Sequence, residues 1–188
     1  MRTRTLVFLA ASSLALTGCG YNTIQTYDEQ AAAAQKQISV QLQRRADLIP
    51  NLVATVKGLA KQELDVFTQV TAARAGLTSA VQSKDMKQMA TANDQLTGAL
   101  RGLMVTVEAY PQLKSDQAFL RLQDDLSGTE NRIAVARTDY NAAAQKYNAY
   151  IRRFPAVMTA KVTGAKSREY FEASAGAATA PTVDFNKK

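Results

Sequence analysis

Residues 41–57, QLQRRADLIPNLVATVK, hold the features that decide the fold. The stretch joins a pair of arginines, an Asp-Leu-Ile-Pro corner and the start of a long apolar stripe. Asp47 is a favoured N-cap residue, and Pro50 would then lie in a first helical turn, where its missing N–H has no helical partner. The pattern therefore favours a new helix from Leu48. The alternative is one long helix kinked at Pro50, because a proline inside a helix costs about 3 kcal/mol but is tolerated.

Residues recur at helical spacing on both sides of this corner. The stripe before the corner is weak because Ala and Gln fill much of it, whereas larger apolar residues follow the corner. The two stripes differ in phase beside Pro50, which supports a break or kink there. They consist of Ile24, Tyr27, Ala31, Ala34, Ile38, Gln41 and Arg45, and then of Ile49, Val53, Val56, Ala60, Glu63, Phe67, Val70, Arg74, Leu77 and Val81.

Heptad spacing predicts two further helices. One runs from about residue 84 to 109 and the other from about 113 to 153. Tyr110-Pro111 and Phe154-Pro155 end them, because the residue before a proline avoids helical geometry. The stripe of the first consists of Met86, Met89, Asn93, Leu96, Leu100, Leu103, Val107 and Tyr110. The stripe of the second consists of Phe119, Leu122, Leu126, Thr129, Ile133, Ala136, Tyr140, Ala143, Tyr147, Tyr150 and Phe154.

Amphipathic helices with short connections predict an all-α fold, an antiparallel bundle of four long helices over residues 24–155. If the first helix is only kinked at Pro50, the bundle has three. A helical turn near residues 156–161 begins a C-terminal tail, 156–188. This tail either docks on the bundle or is irregular throughout. The side chains available for docking are Tyr170, Phe171, Val183 and Phe185.

The composition excludes several kinds of site. The chain has no histidine and one cysteine, Cys19, so it cannot build a Cys-and-His zinc site, a Ser-His-Asp triad or an internal disulfide. We expect no metal and no cofactor, while a site built from carboxylates alone, for a metal or for acid–base chemistry, stays open in principle. The net charge of +7 gives a mild bias towards anionic neighbours.

The first 18 residues have the pattern of an export signal: a basic start, an apolar run too short to span a bilayer, and small residues before a cut. Leu16-Thr17-Gly18-Cys19 resembles the bacterial lipoprotein box, which implies a diacylglyceryl group on the Cys19 sulfur, cleavage before Cys19 and an acylated new amine. Several acyl chains anchor a protein stably where one is marginal. Residues 19–23 would link this anchor to the bundle. Gly20 follows the cysteine, and in two-membrane bacteria this sorting pattern implies the periplasmic face of the outer membrane.

Many spaced motifs over residues 21–185 resemble the LemA family. They are Gln41-Leu42-Gln43-Arg44-Arg45, Asp47-Leu48-Ile49-Pro50-Asn51-Leu52-Val53, Val56-Lys57-Gly58, Ala73-Arg74, Glu108-Ala109-Tyr110-Pro111-Gln112-Leu113-Lys114, Thr129-Glu130-Asn131-Arg132-Ile133, Arg137, Tyr140-Asn141, Tyr147-Asn148, Phe154-Pro155, Tyr170-Phe171-Glu172 and Pro181-Thr182-Val183-Asp184-Phe185.

The resemblance implies an all-helical bundle held at a bacterial membrane and facing away from the cytoplasm, with no enzymatic activity and no catalytic residues. Many family members begin with a transmembrane helix, and this chain differs by its lipoprotein box. We therefore expect a non-enzymatic scaffold or partner for other envelope proteins. The sequence does not identify those proteins, and it does not give the oligomeric state of this one. The rival hypotheses are a binding module for anionic lipid or cell-wall polymer and, third, a carboxylate enzyme.

Four charged residues, Glu63, Arg74, Glu130 and Arg137, lie at or beside inward positions of the stripes. Buried charges must pair, because an isolated one costs several kcal/mol. The four residues therefore predict either a polar core site or an ion network that fixes helix register, with at least one pair between helices.

Two further sets of residues could form an interaction surface. Arg44 and Arg45 could meet anionic lipid or cell-wall polymer, although cations near a helix C-terminus are also favoured by the helix dipole. Tyr140 and Tyr147 lie one heptad apart and form either a recognition strip or part of the core. Export from the cytoplasm, together with arginines that lack interleaved aromatics, argues against nucleic acid as a partner.

Overall fold

The computed structural model describes the backbone of residues 2–59 and 64–172, and the side chains of 20–58 and 64–172. The described residues form six helices, and the all-α prediction is confirmed. Four of these helices are long, and α4 and α6 are short. They are α1 (Arg2–Leu59), α2 (Leu64–Ser83), α3 (Met86–Val107), α4 (Pro111–Lys114), α5 (Gln117–Ile151) and α6 (Ala156–Thr163).

Helix α1 continues through Pro50, so the favoured start of a new helix at Leu48 is wrong. The buried residues of α1 keep alternating spacings of four and three across the proline, because Leu52 rather than Val53 faces inward. There is thus no phase slip, and Asp47 lies exposed within the helix instead of capping one. The residues that keep this spacing are Ile38, Leu42, Arg45, Ile49, Leu52 and Val56, and Ala46 is buried beside Arg45. The backbone of residues 19–23, predicted to be a linker, also belongs to α1.

A side chain from α2 explains how α1 crosses the proline. Pro50 has no N–H to donate to the carbonyl of Ala46, four residues earlier, which would otherwise accept the helical hydrogen bond. The Nε of Arg74 donates to that carbonyl oxygen instead, at 3.0 Å. The stripe predicts that Arg74 faces inward. Its side chain is half-buried, and its guanidinium contacts the backbone of α1. The helix break is avoided because a donor arrives from another helix.

The described residues form two compact units. Residues 39–133, with 171 and 172, make the central unit. Within it, α1 runs antiparallel to α2 and parallel to α3, as the order of the contacts along the helices shows. Those contacts are Ala46–Arg74 and Lys57–Phe67 between α1 and α2, and Ser39–Met89 and Arg45–Asn93 between α1 and α3. Asp85 joins the α2–α3 hairpin by capping α3, accepting the N–H of Gln88 at 2.9 Å.

Residues 2–38 and 134–170 make the terminal unit. The helical turn expected near residues 156–161 is present as α6, which ends at Gly164 in the left-handed conformation, with φ of 72°. Residues 165–170, here called the strap, have no regular secondary structure. Of the tail residues expected to dock, Tyr170 is exposed and Phe171 is buried, while Val183 and Phe185 lie outside the described residues. No helix in the described part of the chain has the length and apolarity needed to cross a membrane.

Candidate functional site

Arg45 connects three helices of the central unit through its side chain. It is 4% exposed on α1. One terminal nitrogen donates to Oδ1 of Asn93 on α3 at 2.6 Å, and the other pairs with Oε2 of Glu130 on α5 at 2.6 Å. A charged, planar donor group of this kind suits two acceptors at fixed positions. The guanidinium therefore fixes the relative positions of α1, α3 and α5 at this level.

Burial is the largest influence on the pKa of the Arg45 side chain. It lowers the pKa of the Arg45 guanidinium, and the carboxylates of Glu130 and Asp94 oppose that effect. An arginine nevertheless keeps its proton at physiological pH. Its Nε and the Oε1 of Gln41, one turn earlier on α1, are buried and find no hydrogen-bond partner among the described residues. Most buried polar groups do find one, so these two atoms are exceptions within the described part of the chain.

A groove of about 500 Å³ opens to solvent between α3 and α5, beside the Arg45–Glu130 pair. We call it the α3–α5 groove. Its lining alternates hydrogen-bonding groups with apolar ones, which suits a peptide or another amphipathic ligand better than a single small ion. The lining residues are Arg45 on α1, then Thr97, Leu100, Arg101 and Met104 on α3, and Gln123, Leu126, Ser127, Glu130 and Asn131 on α5. Among the described residues, no three His, Cys, Asp or Glu side chains are grouped so as to hold a metal ion.

Of the four predicted core charges, the three that the structure describes do not form one network. Glu130, 48% exposed, pairs across helices with Arg45. Arg74 bonds the α1 backbone, as described above. Arg137 is half-buried on α5 in the terminal unit, and Glu63 lies outside the described residues. Glu130 is thus the member that belongs to an ion pair between helices, and its partner comes from another predicted set.

The predicted interaction surface needs three corrections. Arg45 is buried because its stripe position points into the central unit, and only Arg44 of that pair is exposed. Tyr140 and Tyr147 are 1% and 3% exposed, so neither forms a recognition strip. Their heptad spacing places them on the packed face of α5. The side chain of Cys19, the predicted lipidation site, lies outside those described.

In the terminal unit, the tyrosine region of α5 holds the strap. The amide of Asn148, 4% exposed, donates to the carbonyl of Arg168 and accepts its N–H, both at 2.8 Å. The hydroxyl of Tyr140 donates to the carbonyl of Glu169 at 2.6 Å. Burial raises the pKa of the Tyr140 phenol, and the nearby positive charge of Arg168 acts against that rise. The Tyr-Asn motifs of α5 thus serve to bind the backbone of the strap.

The side chain of Arg168 ties the strap to α1 as well. Its Nε lies 2.9 Å from Oδ1 of Asp28, and its guanidinium stands 5.9 Å from the ring centre of Tyr147. Sequence reasoning missed Arg168 because it lies in a segment without periodicity. Sequence reasoning also missed that Asn93 binds Arg45. A signal existed, because Asn93 is a polar residue in heptad register with Leu96, just as Arg45 is a polar residue within the stripe of α1.

The fold and the groove define an all-helical bundle protein with an open, amphipathic groove between two of its helices. The model of the LemA family matches residues 34–185 of this chain. The chain belongs to the LemA family.

Curated relatives carry the same resemblance. The chain is 32% identical over 175 residues to magnetosome proteins MamQ 1 and MamQ 2 of Paramagnetospirillum magneticum. It is 31% identical over 174 residues to magnetosome protein MamQ of Magnetospirillum gryphiswaldense. The first two matches cover 81% of this chain and the third covers 80%, but each covers only 64% of the relative. The chain therefore spans less than two thirds of the length of these relatives.

Proposed function

We propose that this protein is a non-enzymatic bacterial lipoprotein, anchored through acyl groups on Cys19 at the periplasmic face of the outer membrane, that binds other envelope proteins through the α3–α5 groove. The observation that carries partner binding is the groove itself. It is open to solvent, amphipathic and built on a rigid base, because the Arg45 side chain ties the flanking helices to α1. A site on rigid elements binds a partner with less loss of conformational freedom than a loop does.

Anchoring rests on the Leu-Thr-Gly-Cys sequence that ends at Cys19. Intact-mass spectrometry of the protein extracted from membranes tests this part directly. We expect a chain that begins at Cys19 and carries acyl groups, and a Cys19→Ser variant that lacks them. A natural chain that begins elsewhere, or an unmodified Cys19, would exclude the anchor.

Photo-crosslinking in intact cells tests the groove. Ser127 lines the groove on α5, and Asp125 is exposed on the same helix outside it. We replace each in turn by benzoyl-phenylalanine, irradiate the cells and identify the adducts by mass spectrometry. A defined protein adduct at position 127 that is absent at position 125 supports the proposal. Adducts to glycan or lipid alone would instead favour a polymer- or lipid-binding module, and equal adducts at both positions would exclude the groove as the site.

A further inference from the structure

Helix α6 and the residue before its N-cap expose three large apolar side chains, while α6 buries two small ones. Phe154, Met158 and Val162 are 84%, 60% and 88% exposed, whereas Ala156 and Ala160 are each 4% exposed. Met158 and Val162 lie four residues apart and therefore on one side of α6. Phe154 lies in the turn just before the N-cap, Pro155. We call the surface formed by these three exposed side chains the α6 face.

This arrangement differs from the rest of the stripe on α5. The stripe predicts Phe154 to face inward, but α5 ends at Ile151, so its heptad phase no longer applies to that residue. Large apolar side chains gathered on one exposed face mark interaction or membrane surfaces more often than single scattered ones do. The α6 face therefore has the features of a surface that is covered in the cell.

Positive charge surrounds the α6 face. The stretch 152–168 contains five Arg and Lys residues and no Asp or Glu; Arg168 among them pairs with Asp28, and Glu169 follows the stretch. Arg153 and Lys161 are exposed at the two ends of the face, and Lys166 follows it. Apolar residues flanked by cations are typical of helices that lie in the headgroup region of anionic bilayers, where long basic side chains reach the phosphates. A second copy of this chain would bring the same cations to the contact, where they would repel each other.

The chain reaches α6 directly after Cys19. A Cβ added to Gly20 would lie 3.4 Å from Oγ1 of Thr159 and 4.0 Å from the Cα of Ala156, so α1 touches α6 at this residue. Tyr21, the next residue, is 45% exposed, and tyrosine is enriched at membrane interfaces. Acyl groups on Cys19 would thus enter the bilayer one residue away from the α1–α6 contact.

We infer that the α6 face is a membrane-docking surface: Phe154, Met158 and Val162 insert among the headgroups of an anionic phospholipid bilayer while Arg153 and Lys161 contact the phosphates. The inference rests on the proposed lipid anchor for its location. Docking would restrict the orientation of the terminal unit at the membrane, which an acyl tether alone does not do.

An introduced tryptophan reports on this surface, because the chain has none of its own. Met158→Trp places an indole on the α6 face, and Val135→Trp, at a site 62% exposed on α5 of the same unit, is the matched control. The lipidated variants, which begin at Cys19 under the proposal, are reconstituted into phosphatidylglycerol-rich vesicles with brominated acyl chains. We expect a blue shift and loss of indole emission for Met158→Trp and neither for Val135→Trp. Phe154→Trp repeats the measurement if the first variant unfolds by circular dichroism.

Two further arms separate docking from anchoring. The full-length Cys19→Ser form of Met158→Trp is added to the same vesicles, and its emission should still shift, less so with zwitterionic lipid or with Arg153→Glu and Lys161→Glu. If Cys19 is acylated but the indole at position 158 is quenched no more than the indole at position 135, docking is overturned and the lipid anchor stands. If Cys19 is unmodified but the indole at position 158 is quenched, the anchor is overturned and docking stands. A concentration-dependent shift without vesicles would show self-association of the α6 face and would also overturn the inference.

Discussion

The contact between Arg74 and the Ala46 carbonyl makes a quantitative prediction about Pro50. The Nε of Arg74 lies 3.0 Å from that oxygen and replaces the N–H that the proline lacks. Ala46 is fully buried, so removal of the donor leaves a carbonyl with little access to water. Arg74→Met keeps most of the apolar stem and removes the donors. We expect this variant to lower the free energy of unfolding by about 2 kcal/mol, the range for a hydrogen bond to a charged group.

The same substitution should cost much less when position 50 can donate. In a Pro50→Ala background the new N–H bonds the Ala46 carbonyl along the helix, so Arg74→Met should then cost less than about 1 kcal/mol. The coupling free energy between the two positions is therefore on the order of 1 to 2 kcal/mol, within the range found for groups that share a contact. Pro50→Ala alone should stabilise the protein, because alanine suits a helix interior better than proline.

Urea unfolding followed by circular dichroism at 222 nm gives the four free energies of the cycle by linear extrapolation. Arg137→Met is the matched control, since Arg137 is also half-buried but lies in the other unit. It should show no coupling to Pro50→Ala. Equal losses from Arg74→Met in both backgrounds would refute the substitution of one donor by the other.

Three other outcomes follow from the contacts. Asn148→Ala removes the two hydrogen bonds between its amide and the strap. It should lower the free energy of unfolding by about 2 kcal/mol and speed proteolysis within the strap. Gln145→Ala, at an exposed site on the same helix, should change neither quantity. Burial raises the pKa of Tyr140 above its ordinary value of 10.0, so its contribution to stability is intact below that pH and lost above it. Tyr140→Phe should therefore reduce the fall in stability that alkaline titration produces above pH 10.0, measured as the urea midpoint. Glu130→Gln should cost about 1 kcal/mol at low ionic strength and less in molar salt, because the pair with Arg45 is half-exposed on the Glu130 side; a cost that is independent of salt would contradict an ionic contact.

Much of the helical content could be predicted, because spacing of apolar residues depends on local chain geometry alone. The failure at Pro50 has a definite cause. Leu52 and Val53 are both apolar, so the pattern does not reveal which faces inward, and choosing Val53 creates a phase slip that the molecule does not have. Arg74, which donates to the Ala46 carbonyl in place of Pro50, lies on another helix. A rule based on neighbouring residues in the sequence cannot predict this contact.

The candidate site was predictable only in part. Arg45 lies in the inward stripe of α1 and Asn93 in that of α3, so two polar side chains at core positions indicate a buried contact. Their convergence on Glu130 depends on how α1, α3 and α5 align, and no single helix encodes that alignment. On α6 hydropathy misleads, because the alanines at positions 156 and 160 pack inward and leave the larger Met158 outside.

The contacts that hold the strap have a consequence for how this segment tolerates sequence change. Asn148 binds the carbonyl and the N–H of residue 168, and Tyr140 binds the carbonyl of residue 169. Every amino acid supplies the carbonyl, and every amino acid except proline supplies the N–H. Sequence change at position 169 should therefore leave these hydrogen bonds intact, while position 168 is constrained by the charge of Asp28. The side chain at position 169 could thus be replaced in protein design as long as the arginine at position 168 is kept.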